Sequence, residues 1–160
     1  MIWPRMAPLA VRIGRTLNAP PDRVFRAFLD PDLLRRWIAP DELEVDRVTV
    51  DPRVGGRIEV WHSRNGSSTG KFVGVFLTID PPKHLVYRWA FVGTEPEKGE
   101  YIDTLVTVRL RPRSGNRTSI LVVHEGLEEL EHRAPQVFAK LVPGTNNCLD
   151  KLELAANLVC

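Results

Sequence analysis

The stretch Gln136–Val159, QVFAKLVPGTNNCLDKLELAANLV, decides how the rest of the chain must be arranged. Phe138, Leu141, Thr145, Cys148, Leu152, Ala155 and Val159 recur at alternating spacings of three and four. Leu149 and Ala156 widen that row, while Lys140, Asn147, Asp150, Lys151 and Asn157 take the opposite side, which is the pattern of an amphipathic helix. A stripe this long has to lie on something broad. Pro143 and Gly144 interrupt it without shifting its phase, which predicts a kink, or a short helix followed by a long one.

Strand-like runs upstream supply the broad surface. Leu9–Leu17 alternates as a first strand. Asn18-Ala-Pro-Pro-Asp then opens a helix, with prolines in the turn where no amide donor is missed, and Asp30-Pro31 opens a second short one carrying Leu33 and Trp37. Six further strands are predicted: Leu43–Val50 with a bulge near Asp46–Arg47, Arg57–His62, Lys71–Ile79, Leu85–Phe91, Tyr101–Leu110 and Thr118–Glu125. Ser63–Gly70, rich in Gly and Ser, reads as a loop, and Leu127–Glu131 as an acidic helical segment. Strand, two helices, six strands and a long helix make an α+β domain with one curved, seven-stranded antiparallel sheet.

Alternation assigns faces to these strands. Leu85, Tyr87, Trp89 and Phe91 share one side, and it is placed inward because Arg88 on the other side would be buried alone. The matching inward sets are Ile102, Thr104, Val106, Val108 and Leu110; Ile120, Val122 and His124; and Ile58, Val60 and His62. Lys71–Ile79 is apolar on both sides and leaves two readings open. Either Val73, Val75, Leu77 and Ile79 face the helix, making Phe72, Phe76 and Trp61 an outer patch for a homodimer contact, or the aromatics face inward.

The length of 160 residues suits one domain, expected over 9–160 behind a loosely attached extension over 1–8. Its 22 Lys and Arg nearly balance 20 Asp and Glu, and no basic cluster stands out, so neither nucleic acid nor an anionic membrane is an expected partner. No apolar run approaches the ~20 residues that span a bilayer. Cys148 and Cys160 would lie roughly 18 Å apart along one helix, too far for a bridge, and a cytoplasmic location is expected.

Catalytic signatures are sparse. His62 and His124 fall on inward faces, but no third ligand stands at metal-binding spacing, so neither metal nor cofactor is expected. Ser63, Ser67 and Ser68 occupy no strand-to-helix elbow, and Gly55-Gly56 lies between strands rather than before a helix. A general acid–base role for His124 with Tyr87 stands as an alternative to a pure binding role.

Several motifs, in this order, resemble the START-like (SRPBCC) superfamily of helix-grip proteins. The nearest branch is the one related to the carboxy-terminal domain of the heat-shock ATPase activator. The residues are Ala19-Pro20 with Val24-Phe25 and Ala27, Asp30-Pro31 and Trp37, Arg53-Val54-Gly55-Gly56, and Gly74 with Ile79-Asp80-Pro81-Pro82. Leu85-Val86-Tyr87-Arg88-Trp89, Thr118 and His124-Glu125-Gly126-Leu127 complete the set. The resemblance implies a long helix clasped by the sheet above a cavity that often takes an apolar small molecule, and it brings no shared catalytic motif. One departure is Gly144-Thr145 where relatives carry Gly-Trp, which leaves space beside the helix or calls for Trp37 or Trp61 to fill it.

The leading expectation is therefore a binding domain for an apolar or aromatic small molecule, non-enzymatic or at most weakly catalytic. Its lining is expected from Trp37, Tyr87, Trp89, Val106, Val122 and His124 on the shell, and from Leu141, Thr145, Cys148 and Leu152 on the helix. The alternatives are a cyclase, dehydrase or hydrolase using His124 and Tyr87, and a co-chaperone of a heat-shock ATPase.

Overall fold

The computed structural model describes residues 9–158. The expected extension over 1–8, and Val159 and Cys160, lie outside the described residues. Seven strands, β1 (Ala10–Leu17), β2 (Glu44–Val50), β3 (Arg57–Arg64), β4 (Ser67–Asp80), β5 (His84–Val92), β6 (Tyr101–Arg113) and β7 (Arg117–Glu125), form one antiparallel sheet. Its order is β1-β7-β6-β5-β4-β3-β2, so the first two strands in sequence occupy opposite edges. The chain crosses between them through α1 (Pro21–Leu29) and α2 (Pro31–Leu34).

Both short helices start as their residues dictate. Pro21 occupies the first turn of α1 with Asp22 beside it, and Val24, Phe25, Ala27 and Phe28 form its buried side. Asp30 caps α2 by accepting a hydrogen bond from the Asp32 amide at 2.9 Å. The Trp37 indole N–H donates to the Ala27 carbonyl at 2.9 Å, and its ring meets Phe28 edge to face at 4.6 Å. The buried Thr118 hydroxyl donates to the Ala19 carbonyl at 2.7 Å, tying β7 to the start of the crossover.

After β7 come α3 (Glu128–Arg133), α4 (Pro135–Ala139) and α5 (Leu141–Ala156). The expected interruption is thus a short helix followed by a long one, broken at Lys140, with Pro143 and Gly144 inside the first turn of α5. Cys148, Leu149, Leu152, Ala155 and Ala156 are the buried side of α5. Polar bonds hold both flanks. Arg15 on β1 reaches Asp150 at 2.5 Å, while Asn147 and Asp41 exchange hydrogen bonds at 2.7 and 3.0 Å on the other side.

Curvature has a local cause. The ladders shift register between Val45 and Arg47, between His62 and Ser63, and between Phe76 and Thr78, and each irregularity bends its strand. The first was expected near Asp46–Arg47. The third decides between the two open readings of β4 and corrects the grouping of Ile79. Val73 and Leu77 lie on the outer side, but the extra residue at Leu77 returns Ile79 to the inner side, opposite Leu85. Phe72 and Phe76 are both buried inside, which removes the outer aromatic patch and with it the argument for a homodimer contact. Trp61 does lie outside, with the Arg47 guanidinium 4.0 Å above its ring.

A second correction concerns Ser63–Gly70, expected as a loop. β3 and β4 run through it to a two-residue hairpin turn at Asn65-Gly66, where φ is 51° and 79°. Both residues sit in the left-handed region that such turns require. No helix among the described residues is long and apolar enough to cross a membrane.

Candidate functional site

A cavity of about 650 Å³ lies between the inner face of the sheet and the N-terminal half of α5. The pairing register stacks the inner face of the sheet in rows. Phe76, Tyr87, Val106, His124 and Val11 form one cross-strand row, and Gly74, Trp89 and Thr104 form the next. Phe72, Phe91 and Ile102 form a third. Aromatic rings meet across the rows, with Phe72 and Trp89 centred 5.2 Å apart and Tyr87 and Trp89 5.6 Å apart. Trp89 has its position because Gly74 faces it. A Cβ at residue 74 would stand 3.2 Å from the indole, 3.0 Å from the Arg88 carbonyl and 3.3 Å from Ile58.

Of the ten residues expected to line the site, nine border this cavity: Trp37, Tyr87, Trp89, Val106, Val122, His124, Leu141, Thr145 and Cys148. Leu152 does not. It lies one turn beyond Cys148, fully buried where α5 packs solidly against its support. Thr145 borders open space rather than a filler, since Trp37 is engaged with Phe28 and Trp61 faces away. Phe28, Phe72 and Phe91 also line the cavity but were not singled out from sequence, although strict alternation on β5 already placed Phe91 inward.

The polar groups inside are few and neutral. His62 Nδ1 pairs with Thr69 Oγ1 at 2.5 Å, and His124 Nε2 lies 2.6 Å from Thr104 Oγ1. Burial pushes His124 down to about 4; burial likewise takes His62 to about 4 against the opposing pull of Asp46. Burial raises the Tyr87 hydroxyl above its ordinary range, and pushes the Cys148 thiol up to about 12, so neither ionises near neutrality. Cations at the mouth already have carboxylates: Arg64 and Lys140 share Glu42 at 3.4 and 3.2 Å, and Arg133 pairs with Glu129.

Val106 stands between Tyr87 and His124 in their row, so their backbones are about 10 Å apart, and His124 Nε2 is engaged with Thr104. Burial keeps the Cys148 thiol protonated against the opposing pull of Lys151, which is the state of an inert thiol. Among the described residues no three His, Cys, Asp or Glu side chains gather as a metal site.

Solved structures share this architecture. A Chromobacterium violaceum protein is 28% identical, with 92% of this chain and 96% of that chain covered at a TM-score of 0.71. A Nitrosomonas europaea protein is 21% identical over 94% of this chain and 96% of its own, TM-score 0.73. The solution structure of an Arthrobacter aurescens protein is 22% identical over 93% and 86%, TM-score 0.76. A search of curated proteins finds no match to this chain. A family model described as "Activator of Hsp90 ATPase homolog 1-like protein" matches residues 18–157, and the chain, a helix-grip protein of the SRPBCC type, belongs to that family.

Proposed function

We propose that this protein binds an apolar or aromatic small molecule in the cavity beneath the N-terminal half of α5. The observation that carries the reading is the cavity itself: about 650 Å³, walled by Trp37, Phe72, Tyr87, Trp89 and Phe91, with neutral polar tips. That volume falls within the ~300–1,000 Å³ of small-molecule sites. Aromatic and aliphatic side chains supply contact area, and His124, Tyr87 and Thr145 orient a polar end of the ligand. The buried free thiol of Cys148 supports a reducing compartment, and the cytoplasm is the one proposed.

The test is a titration with a panel of hydrophobic fluorescent and non-fluorescent probes, read by tryptophan emission and melting temperature. Trp37 and Trp89 report directly because both line the cavity. Saturable quenching with a raised melting temperature is expected for the wild type. Thr145→Trp, which places an indole in the open space, is expected to abolish it while the fold persists. An unresponsive wild type, or undiminished binding by the Thr145→Trp variant, overturns the reading.

A further inference from the structure

Inside the cavity one side chain has its hydrogen-bonding sense dictated by the groups behind it. Thr104 Oγ1 lies 2.6 Å from the Trp89 carbonyl oxygen and 2.6 Å from His124 Nε2. A carbonyl has no proton, so an oxygen–oxygen contact that short requires the Thr104 hydroxyl to donate to it. That hydroxyl owns one proton. Its remaining capacity toward His124 is as an acceptor, so Nε2 must carry the hydrogen and donate to Thr104. The proton of a neutral imidazole is then used, and Nδ1 is left as a lone-pair acceptor.

The surroundings keep the ring in that form. Its face is stacked on Phe91, with planes 11° apart and centroids at 6.1 Å. His124 is 7% exposed and borders the cavity. Nδ1 has no hydrogen-bond partner among the described residues, and the ring that carries it borders the cavity. Among the described residues no carboxylate is paired with His124 to hold a second proton, and burial disfavours the imidazolium.

Building on the binding role proposed above, we infer that the ligand is an uncharged aromatic or alicyclic molecule bearing a hydroxyl, which donates its hydrogen bond to His124 Nδ1. Three ligand classes are disfavoured on the same geometry. A carboxylate would present lone pairs to the Nδ1 lone pair, with the nearby cations at the mouth already bonded to Glu42 and Glu129. A bare hydrocarbon would bury Nδ1 without a partner. An ether or ketone of the same shape supplies only acceptors and meets the same repulsion.

The experiment uses the full chain and four probes of one shape: 2-naphthol, 2-methoxynaphthalene, naphthalene and 2-naphthoate, titrated by calorimetry near neutral pH. The expected result is 2-naphthol tightest, by roughly tenfold over 2-methoxynaphthalene, the order expected of one buried hydrogen bond. In His124→Phe that ratio is expected to fall to about one while naphthalene still binds. Binding of all four with no preference for the hydroxyl, or with 2-naphthoate tightest, overturns this inference and leaves the binding role standing. No binding by any probe overturns both. Nitrogen-15 NMR of the imidazole supplies a readout that needs no variant. An Nε2–H tautomer at neutral pH is expected, and an Nδ1–H tautomer or an imidazolium overturns the inference.

Discussion

Acidification should weaken this fold through its buried imidazoles, and the amount can be worked out. His124 has an ordinary value of 6.5 and is held at about 4 by burial. Between those two values the unfolded chain takes up a proton that the folded chain refuses. Stability from this group is therefore complete above pH 6.5 and is lost as the pH falls from there to about 4. The whole difference corresponds to about 3 kcal/mol, of which about 2 kcal/mol is already lost at pH 5. His62 is lowered to about 4 as well, burial being the leading cause against the opposing pull of Asp46, so it adds to the loss with the same sign. Asp41 and Glu128 are lowered by hydrogen bonds, from Lys151 and from the Leu9 amide respectively, so they act chiefly below pH 5. The assay is urea unfolding at pH 7.5 and 5.0 for the wild type and His124→Gln. Glutamine keeps an N–H for Thr104 but does not titrate. The variant is expected to lose about 2 kcal/mol less than the wild type across this interval. Equal pH sensitivity in the two proteins, or a His124 resonance titrating near 6.5, would refute the reasoning.

Four further substitutions probe how the site is held. Gly74→Ala drives a methyl against Trp89 and the Arg88 carbonyl, and should cost about 1–3 kcal/mol with a shifted tryptophan emission maximum. Thr118→Val leaves the buried Ala19 carbonyl unpaired and should cost about 1–3 kcal/mol in chemical denaturation. Leu152→Ala opens a void in the solid half of the helix seat, lowering stability by about 2–5 kcal/mol while probe affinity per folded molecule stays unchanged. Gly66→Ala meets no neighbouring atom, so its expected penalty of about 1–2 kcal/mol in urea unfolding reflects the left-handed backbone alone.

Residues whose direction follows from alternation were legible before any coordinates. Arg88 and Asp103 lie on the outer side of neighbouring strands and pair there, which leaves Tyr87, Trp89, Thr104 and Val106 inside. The phase of the last helix likewise survived Pro143 and Gly144, because a proline in the first turn forfeits no hydrogen bond. What escaped had no period to follow. The bulge at Leu77 adds a residue and silently exchanges the faces beyond it, so Ile79 was grouped with the wrong row. Ser63–Gly70 was read from its composition as a loop, although Asn65-Gly66 between alternating flanks is itself a hairpin signal. Leu152 shows the limit of a stripe, which says that a side chain is covered but not whether by protein or by empty space. Thr104 shows the limit of face assignment: its bond to His124 depends on the register of β6 against β7, which no single strand carries.

The three register shifts all fall in the ladders joining β2, β3, β4 and β5, whereas the ladders joining β5, β6, β7 and β1 run without a break. The two wings therefore respond differently to change. The unbroken wing carries His124 and the tautomer relay behind it, where one inserted residue would turn every neighbour around. The interrupted wing already absorbs odd residue counts, so insertions and deletions there alter the span of the chamber and leave the recognition chemistry opposite in place.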